Sequence, residues 1–535
     1  MFPVLPKNQS SDDRGPWMYD AILISPHYDY DRVGQPVPGF NATDVQDLSM
    51  IIPLGIVHLA QYLHDCGLKV HVVHLPQELY TLQRLGLAVD QLESPIKAIL
   101  EKYPARVCGL QAHFYLYSGG AVHVAGVYKS LFPESTILVG GYMATACWKE
   151  FLTIAPGIDG VVLGEGERTF QRVIEASERP GNGALQAIEG LACRAANGDF
   201  VYNPPRAEAL LRLDAMPIID PAAPPFNNLL WPPRGFMNIS RGLCPEQCAY
   251  CVANNHAINP RPYRTMAIDR VLKQLTVYQK AGIRGIFLGE NHFLNLSFMT
   301  ELIEQIIQEN FDLYFELETH PVVFADSGLL AKMLTAGFMR YTMGCESGSN
   351  HLLKRLGRRS NARQIMNSVE QIANAGGLVI TSWICNLPGE TETEFLETRA
   401  MLRRVVDAGG FIYWIENLHV LPGSLLHQRP QKWDIDLLLQ NLADWFRWSL
   451  RSKTYVDLED VDRSPLDYLT HLNRNSDPHE MINRFFAQRQ LARMLVPVMQ
   501  QNLAERAAYL PLDLTRAERQ RLDWYETRGW KLWLF

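Results

Sequence analysis

What this sequence lacks narrows its class before any motif is considered. Its 535 residues hold nine cysteines, scattered apart from one triad, so no disulfide framework organises the fold and a reducing compartment is expected. No apolar run reaches the roughly 18 residues of a membrane span. Met1 to Gly15 are polar, with acidic residues and no apolar h-region, so neither a membrane anchor nor a signal peptide is expected. A basic excess is missing as well. The net charge of −7 lacks the footprint of general nucleic-acid binding, and the densest basic stretch, Lys354-Arg-Leu-Gly-Arg-Arg359, reads as a solvated helix end. What is present is apolar content of 47% with 20% charge, enough for a sizeable core. The length predicts two or three domains. The expected protein is soluble and cytoplasmic, with no nucleic-acid or membrane partner.

The triad is the strongest chemical signal. Cys244, Cys248 and Cys251 stand in the run Ser240-Arg-Gly-Leu-Cys-Pro-Glu-Gln-Cys-Ala-Tyr-Cys251, a C-x3-C-x2-C spacing with no fourth cysteine close by. Three thiolates on one tight loop suit a [4Fe-4S] cluster whose fourth iron has no protein ligand. Zinc is the competing reading, since His256 could complete a Cys3His set. Unrelated buried thiols are a third. Pairing within the triad is disfavoured, because one cysteine would be left over.

Around the triad the chain alternates apolar strands with helices. Residues 18–200 carry strand runs at Tyr19–Ser25, Lys69–His74, Val107–Ala112, Ser135–Gly141 and Val161–Glu167, separated by amphipathic helices, one of them stopping at Gly67. This predicts a Rossmann-like, doubly wound parallel sheet, with ligands beyond the carboxyl ends of its strands. A proline-rich linker spans 201–233. Six strand runs follow over 234–430: Phe236–Ser240, Ile283–Gly289, Asp312–Glu318, Met339–Cys345, Gly377–Ile384 and Phe411–Asn417. The triad lies at the carboxyl end of the first, where barrels of parallel strands place their chemistry. Residues 431–535 read as a helical domain, with apolar periodicity over Asp434–Tyr455 and Glu480–Ala508; closing the barrel mouth is a role it could serve.

The cysteine motif resembles that of the radical S-adenosylmethionine (radical SAM) enzymes, and the succession ahead of it resembles the cobalamin-binding domain fused to many of them. The resemblance implies a partial (β/α)6 TIM-type barrel, a [4Fe-4S] cluster held by the three cysteines, and SAM chelated at the open iron. Glu290, in Gly289-Glu-Asn291, falls where such proteins contact the SAM amino group. Gly344-Cys-Glu-Ser-Gly-Ser349 matches a fourth-strand pattern whose polar side chains, here Glu346 and Ser347, line the SAM site, and Tyr250 matches an aromatic near adenine. Asn386-Leu-Pro-Gly-Glu390 matches the turn after the fifth strand, where Thr391 can also cap a helix. Cys345 is a candidate catalytic thiol, although buried thiols usually behave as small hydrophobes; Cys385 is read likewise. In the first domain, Leu138-Val-Gly-Gly141, Gly164-Glu-Gly-Glu167 and the Pro53-Leu-Gly-Ile helix start carry the likeness. Gly140, Gly141, Gly164, Glu165 and His113 are the residues expected at cobalamin. The D-x-H-x-x-G cobalt-ligand signature is missing: Tyr62 replaces its Asp, and His64-Asp-Cys-Gly67 ends a helix.

These implications converge on cobalamin-dependent C-methylation of an unactivated carbon in a small-molecule or natural-product substrate, with electrons from a flavodoxin or ferredoxin. The alternative within the same architecture is a non-methylating cyclase, ring-contraction or dehydration enzyme. A sensing protein lacks a basic module, and a zinc-stabilised structural protein leaves the SAM-site motifs unexplained.

Overall fold

A computed structural model describes residues 17–27, 53–83, 92–178, 184–195, 197–206, 210–229, 231, 234–255, 261–289, 295–325, 327–451 and 464–528. The N-terminal sheet contains β1 (Tyr19–Ser25), β2 (Val70–His74), β3 (Ala105–Gln111), β4 (Thr136–Gly140), β5 (Gly160–Val162), β6 (Leu191–Arg194) and β7 (Phe200–Tyr202) in the order β2-β1-β3-β4-β5-β6-β7. The first five run parallel. All but one residue of β1 is buried, as expected of a strand covered by helices on both faces. Gly109 of β3 makes room for one of those helices, Glu167–Ser177: a Cβ there would stand 2.6 Å from the Phe170 ring. The antiparallel β6 and β7 extend the sheet beyond the doubly wound pattern.

The second sheet is built from β8 (Arg234–Met237), β11 (Gly285–Leu288), β12 (Tyr314–Thr319), β13 (Phe338–Glu346), β14 (Leu378–Cys385) and β15 (Phe411–Asn417), six parallel strands in the order β15-β14-β13-β12-β11-β8. This is the open six-stranded barrel that the resemblance implies. Between β8 and β11 lies a short antiparallel ribbon of β9 (Ser240–Arg241) and β10 (Arg264–Thr265), which brackets the cysteine loop. The linker ties both domains together: Asn228 donates to the Val72 carbonyl at 3.0 Å, and Ile219 exchanges two hydrogen bonds with Gln274.

The C-terminal region departs from the expected helices in two places. Asp434–Tyr455 is not one helix: β16 (Ile435–Leu437) pairs with β17 (His471–Asn473), and the helix is Leu442–Arg451. Glu480–Ala508 divides into helices Pro478–Met494 and Val496–Arg506, because Pro497 lacks the N–H a continuous helix needs. The last helix, Leu512–Arg528, does not cover the barrel mouth. It delivers Glu518, wholly buried, to Arg340 near the start of β13 and to Tyr413 near the start of β15, closing the base instead. Among the described residues no helix is long and apolar enough to cross a membrane.

Candidate active site at the facing strand ends

The cysteine loop is shaped by its backbone first. Gly242 has φ +111°, and a Cβ would lie 2.2 Å from the Pro262 carbonyl oxygen, so only glycine lets the two sides of the loop close on each other. Leu243 N–H donates to Arg261 at 2.9 Å, and Cys251 N–H to Cys248 at 3.0 Å. Two further contacts dock the loop on the barrel: Ala249 N–H donates to Leu356, and Leu426 N–H to Ala249. Cys248 is buried and Cys244 and Cys251 are half-buried, and burial pushes the thiols up, Cys244 to about 12 and Cys251 to about 11. Such thiols ionise when a metal centre binds them. Among the described residues no three His, Cys, Asp or Glu side chains converge on a point for one metal ion. His256, the fourth ligand of the zinc reading, lies outside the described residues, as does Glu290.

At the end of β13 the register shifts between Gly344 and Glu346, and Glu346 adopts φ +63°. This left-handed step is uncommon for a non-glycine residue. It turns the Glu346 carboxylate toward the cysteine loop, where Tyr250 Oη donates to it at 3.1 Å. Burial raises the Glu346 carboxyl against the opposing charge of Arg358. The two residues predicted separately from the motifs therefore meet. Ser347 is fully buried, its hydroxyl 3.1 Å from Thr398 Oγ1 and from the Ser349 N–H, so it secures the turn. Cys345, the candidate catalytic thiol, is fully buried in the hydrophobic core, and burial drives its thiol well up.

The basic stretch is not simply solvated. Lys354 is exposed, but the Arg358 side chain is only 8% exposed and lies in the cluster site, with Nη1 3.9 Å from Cys248 Sγ and from Glu346 Oε1, and Nη2 donating to the Gly344 carbonyl. Arg359 reaches Glu246, inside the cysteine loop, at 3.4 Å. Gly357, with φ +79°, allows this approach, since a Cβ would meet the Gln247 carbonyl at 2.7 Å. A glycine between basic residues was the available sequence signal.

The N-terminal sheet presents its carboxyl ends to the same space. Tyr142, just after β4, donates to the Pro422 carbonyl beyond β15. Tyr115, just after β3, lies 3.3 Å from Nδ1 of His419 and packs on Trp445 and Trp448. His113 is exposed to solvent with Phe114 edge-on to its ring, and the surrounding protein pulls it down to about 4. Gly141, at φ +110°, is demanded by protein: a Cβ would meet the His113 backbone at 3.0 Å. Gly140 is under no such demand: a Cβ there would rest in ordinary contact with Val162, 3.5 Å away. Gly164 turns the chain at φ +66° with its N–H on Thr145.

Glu165 serves a different purpose from the one expected. It pairs with Arg264 and, at 3.5 Å, with Arg241, while Glu167 takes Arg241 at 2.8 Å. Both arginines sit on the ribbon bracketing the cysteine loop, so the Gly164–Glu167 turn latches the first domain to that loop. The pairing is strong enough that Arg241 lowers the Glu167 carboxyl although burial pushes it up. His58 beneath them stays neutral, pulled down to about 3 by burial and Arg241.

With this geometry in place, the comparisons are specific. The model of the radical SAM superfamily matches residues 238–402, and that of the B12 binding domain matches 48–174. An uncharacterised methyltransferase of Pyrococcus horikoshii is 27% identical over 347 residues, 64% of this chain and 71% of that protein. The anaerobic magnesium-protoporphyrin IX monomethyl ester cyclase of Rubrivivax gelatinosus is 24% identical over 293 residues, and the match spans half of each protein: 51% of this chain and 50% of the cyclase. Among solved structures, the radical SAM methyltransferase TsrM of Kitasatospora setae, with cobalamin and a [4Fe-4S] cluster bound, superposes with a TM-score of 0.67 over 94% of this chain and 98% of its own at 15% identity. The cobalamin-dependent SAM radical enzyme OxsB, with aqua-cobalamin and SAM bound, gives 0.61 over 95% and 70%, also at 15% identity. At such identity the likeness is one of fold.

Proposed function

We propose, on the premise that this chain is a radical SAM enzyme with a B12-binding domain, that it transfers methyl groups to an unactivated carbon of a small-molecule substrate. The observation that carries this reading is the confrontation of strand ends. The cysteine loop, Glu346 and the β15 exit face the ends of β3, β4 and β5 across contacts from Tyr142 to Pro422 and Tyr115 to His419. Cys244, Cys248 and Cys251 would hold the cluster, Tyr250 and Glu346 would border SAM, and Gly140 and His113, at the ends of β4 and β3, would border the corrin. When bound, these groups supply an electron for SAM cleavage and a transferable methyl, chemistry that belongs to the cofactors while the protein orients them. The methyltransferase likeness and the TsrM fold support the methyl outcome. The cyclase likeness supports a second reading, radical chemistry without methyl transfer.

Anaerobic turnover of the reduced, fully loaded protein on a small-molecule extract separates the two. Equal formation of S-adenosylhomocysteine and 5′-deoxyadenosine is expected; 5′-deoxyadenosine alone supports the second reading, and no SAM cleavage overturns both.

The substrate side has a group able to manage a proton. Glu416 stands beside Ile384 on the barrel-facing side of β15, with Oε1 3.0 Å from Arg489 and Oε2 buried without a hydrogen-bond partner. Burial pushes it up to about 7 despite Arg489, a value suited to proton exchange near neutrality. Turnover is expected to show an apparent pKa near 7 that Glu416→Gln removes; an unchanged pH profile in that variant would exclude Glu416 from the reaction.

A further inference from the structure

Arg358 is a cation taken out of water without a close carboxylate. Its side chain is 8% exposed, its nearest acid, Glu346, stands 3.9 Å away and is shared with Tyr250, and its Nε finds no hydrogen-bond partner. Burying a guanidinium on such terms is costly unless an anion completes the site. The anion it faces is on the page: Nη1 points at Cys248 Sγ at 3.9 Å, within reach of a sulfur hydrogen bond. The backbone holds this aim. Nη2 donates to the Gly344 carbonyl, the Leu356 carbonyl accepts from Ala249, and Gly357 presses on Gln247. The arginine is therefore fixed to the cysteine loop from both sides of its own turn.

We propose that Arg358 is the positioning residue that sets the reduction potential of the cluster bound by Cys244, Cys248 and Cys251. The inference rests on the cluster reading given under Proposed function. Three thiolates on a [4Fe-4S]2+ core give a net charge of −1. One electron, from a donor of the ferredoxin or flavodoxin class, makes it −2 with no bond formed or broken. A fixed positive charge and an N–H donated to a ligand sulfur both favour the more negative state, and net charge and hydrogen bonds to sulfur are established controls of cluster potential. Arg358 thus makes the cluster reducible by donors of ordinary strength. Glu346 keeps the guanidinium oriented without cancelling it at close range.

The test is an EPR-monitored redox titration of reconstituted protein without SAM, for the native chain, Arg358→Gln and Arg358→Lys, each assayed for iron and sulfide. Arg358→Gln is expected to need a potential more negative by at least the 59 mV that corresponds to a tenfold change in reduced-to-oxidised ratio for one electron. Arg358→Lys, which keeps the charge and loses the fork, is expected to lie between. Equal potentials in all three, at equal iron content, overturn the proposal. So does an unchanged potential accompanied by lost SAM binding, which would make Arg358 a SAM-carboxylate ligand. If Arg358→Gln does not assemble a cluster, the lysine variant decides: a native potential there overturns the proposal, and a lowered one supports it. Native protein that assembles no four-iron cluster fails at the earlier reading and takes this one with it.

Discussion

Cys248→Ala is expected to abolish cluster assembly and reduce SAM cleavage to background while leaving the fold intact. Cys248 is 4% exposed and sits between Cys244 and Cys251 on a loop closed by Gly242 and docked through Ala249, so no other described thiol can move into its place. Cys345 and Cys385 are buried, and burial raises both thiols far above the ordinary range. Two remaining thiolates do not hold a four-iron core that three normally anchor. The substitution removes a small side chain at the edge of the core, so its direct cost in stability should be about 1 kcal/mol. Iron and sulfide content, the visible charge-transfer absorption and 5′-deoxyadenosine formation give the answer together. Retained iron and SAM cleavage would refute the ligand assignment; loss of the far-ultraviolet CD signal would make the residue structural.

The second large effect is expected far from the chemistry. Glu518→Ala should cost about 3–5 kcal/mol, the range for removing one partner of a buried ion pair. Glu518 is 0% exposed, lies 3.2 Å from both Arg340 and Arg521, and accepts a hydrogen bond from Tyr413. Arg340 also pairs with Glu316 at 2.8 Å, and Arg234 reaches Glu316 at 3.3 Å. Without Glu518, Arg340 and Arg521 both lose its carboxylate and Arg340 shares Glu316 with Arg234, in a place where water cannot compensate. The pH dependence has a definite sign. Burial pushes the Glu518 carboxyl up, but Arg521 and Arg340 outweigh it and hold the carboxyl below its ordinary value. Its stabilisation is therefore complete above the unfolded value of about 4.3 and is lost as pH falls below it. Urea denaturation from pH 7 down to 3 should show native protein losing stability over the acid limb more steeply than Glu518→Gln. A variant within 1 kcal/mol of native at pH 7 would mean that the base of the barrel is held by packing alone.

How much of this was legible follows from the range of each interaction. The six barrel strands, the five parallel strands of the first sheet and the Gly67 helix stop depend on side-chain period and on backbone preference, which neighbours in sequence already determine. The triad is local in the same way: its spacing, with Gly242, suits one tight loop whatever surrounds it. The split at Pro497 was readable from proline and was overridden by the apolar period on both sides of it. The strand β16 was not readable, because its partner β17 lies more than 30 residues away.

By itself, then, the sequence determined a tight loop of three cysteines at the end of a parallel strand, preceded by a doubly wound sheet. Tertiary structure decided which way the chemistry faces. A one-residue shift between Gly344 and Glu346 sends Glu346 to Tyr250 and leaves Cys345 in the core, an outcome that strand period cannot supply. Charge pairing across domains joins Glu165, a residue expected at the corrin, and Glu167 in a latch on Arg241 and Arg264. A glycine turn folded Arg358 onto Cys248 when its neighbours in sequence suggested solvent. Each of these depends on where a distant backbone lies. Charge and hydrogen-bond energies fall off over a few ångströms of space, and distance along the chain does not report them.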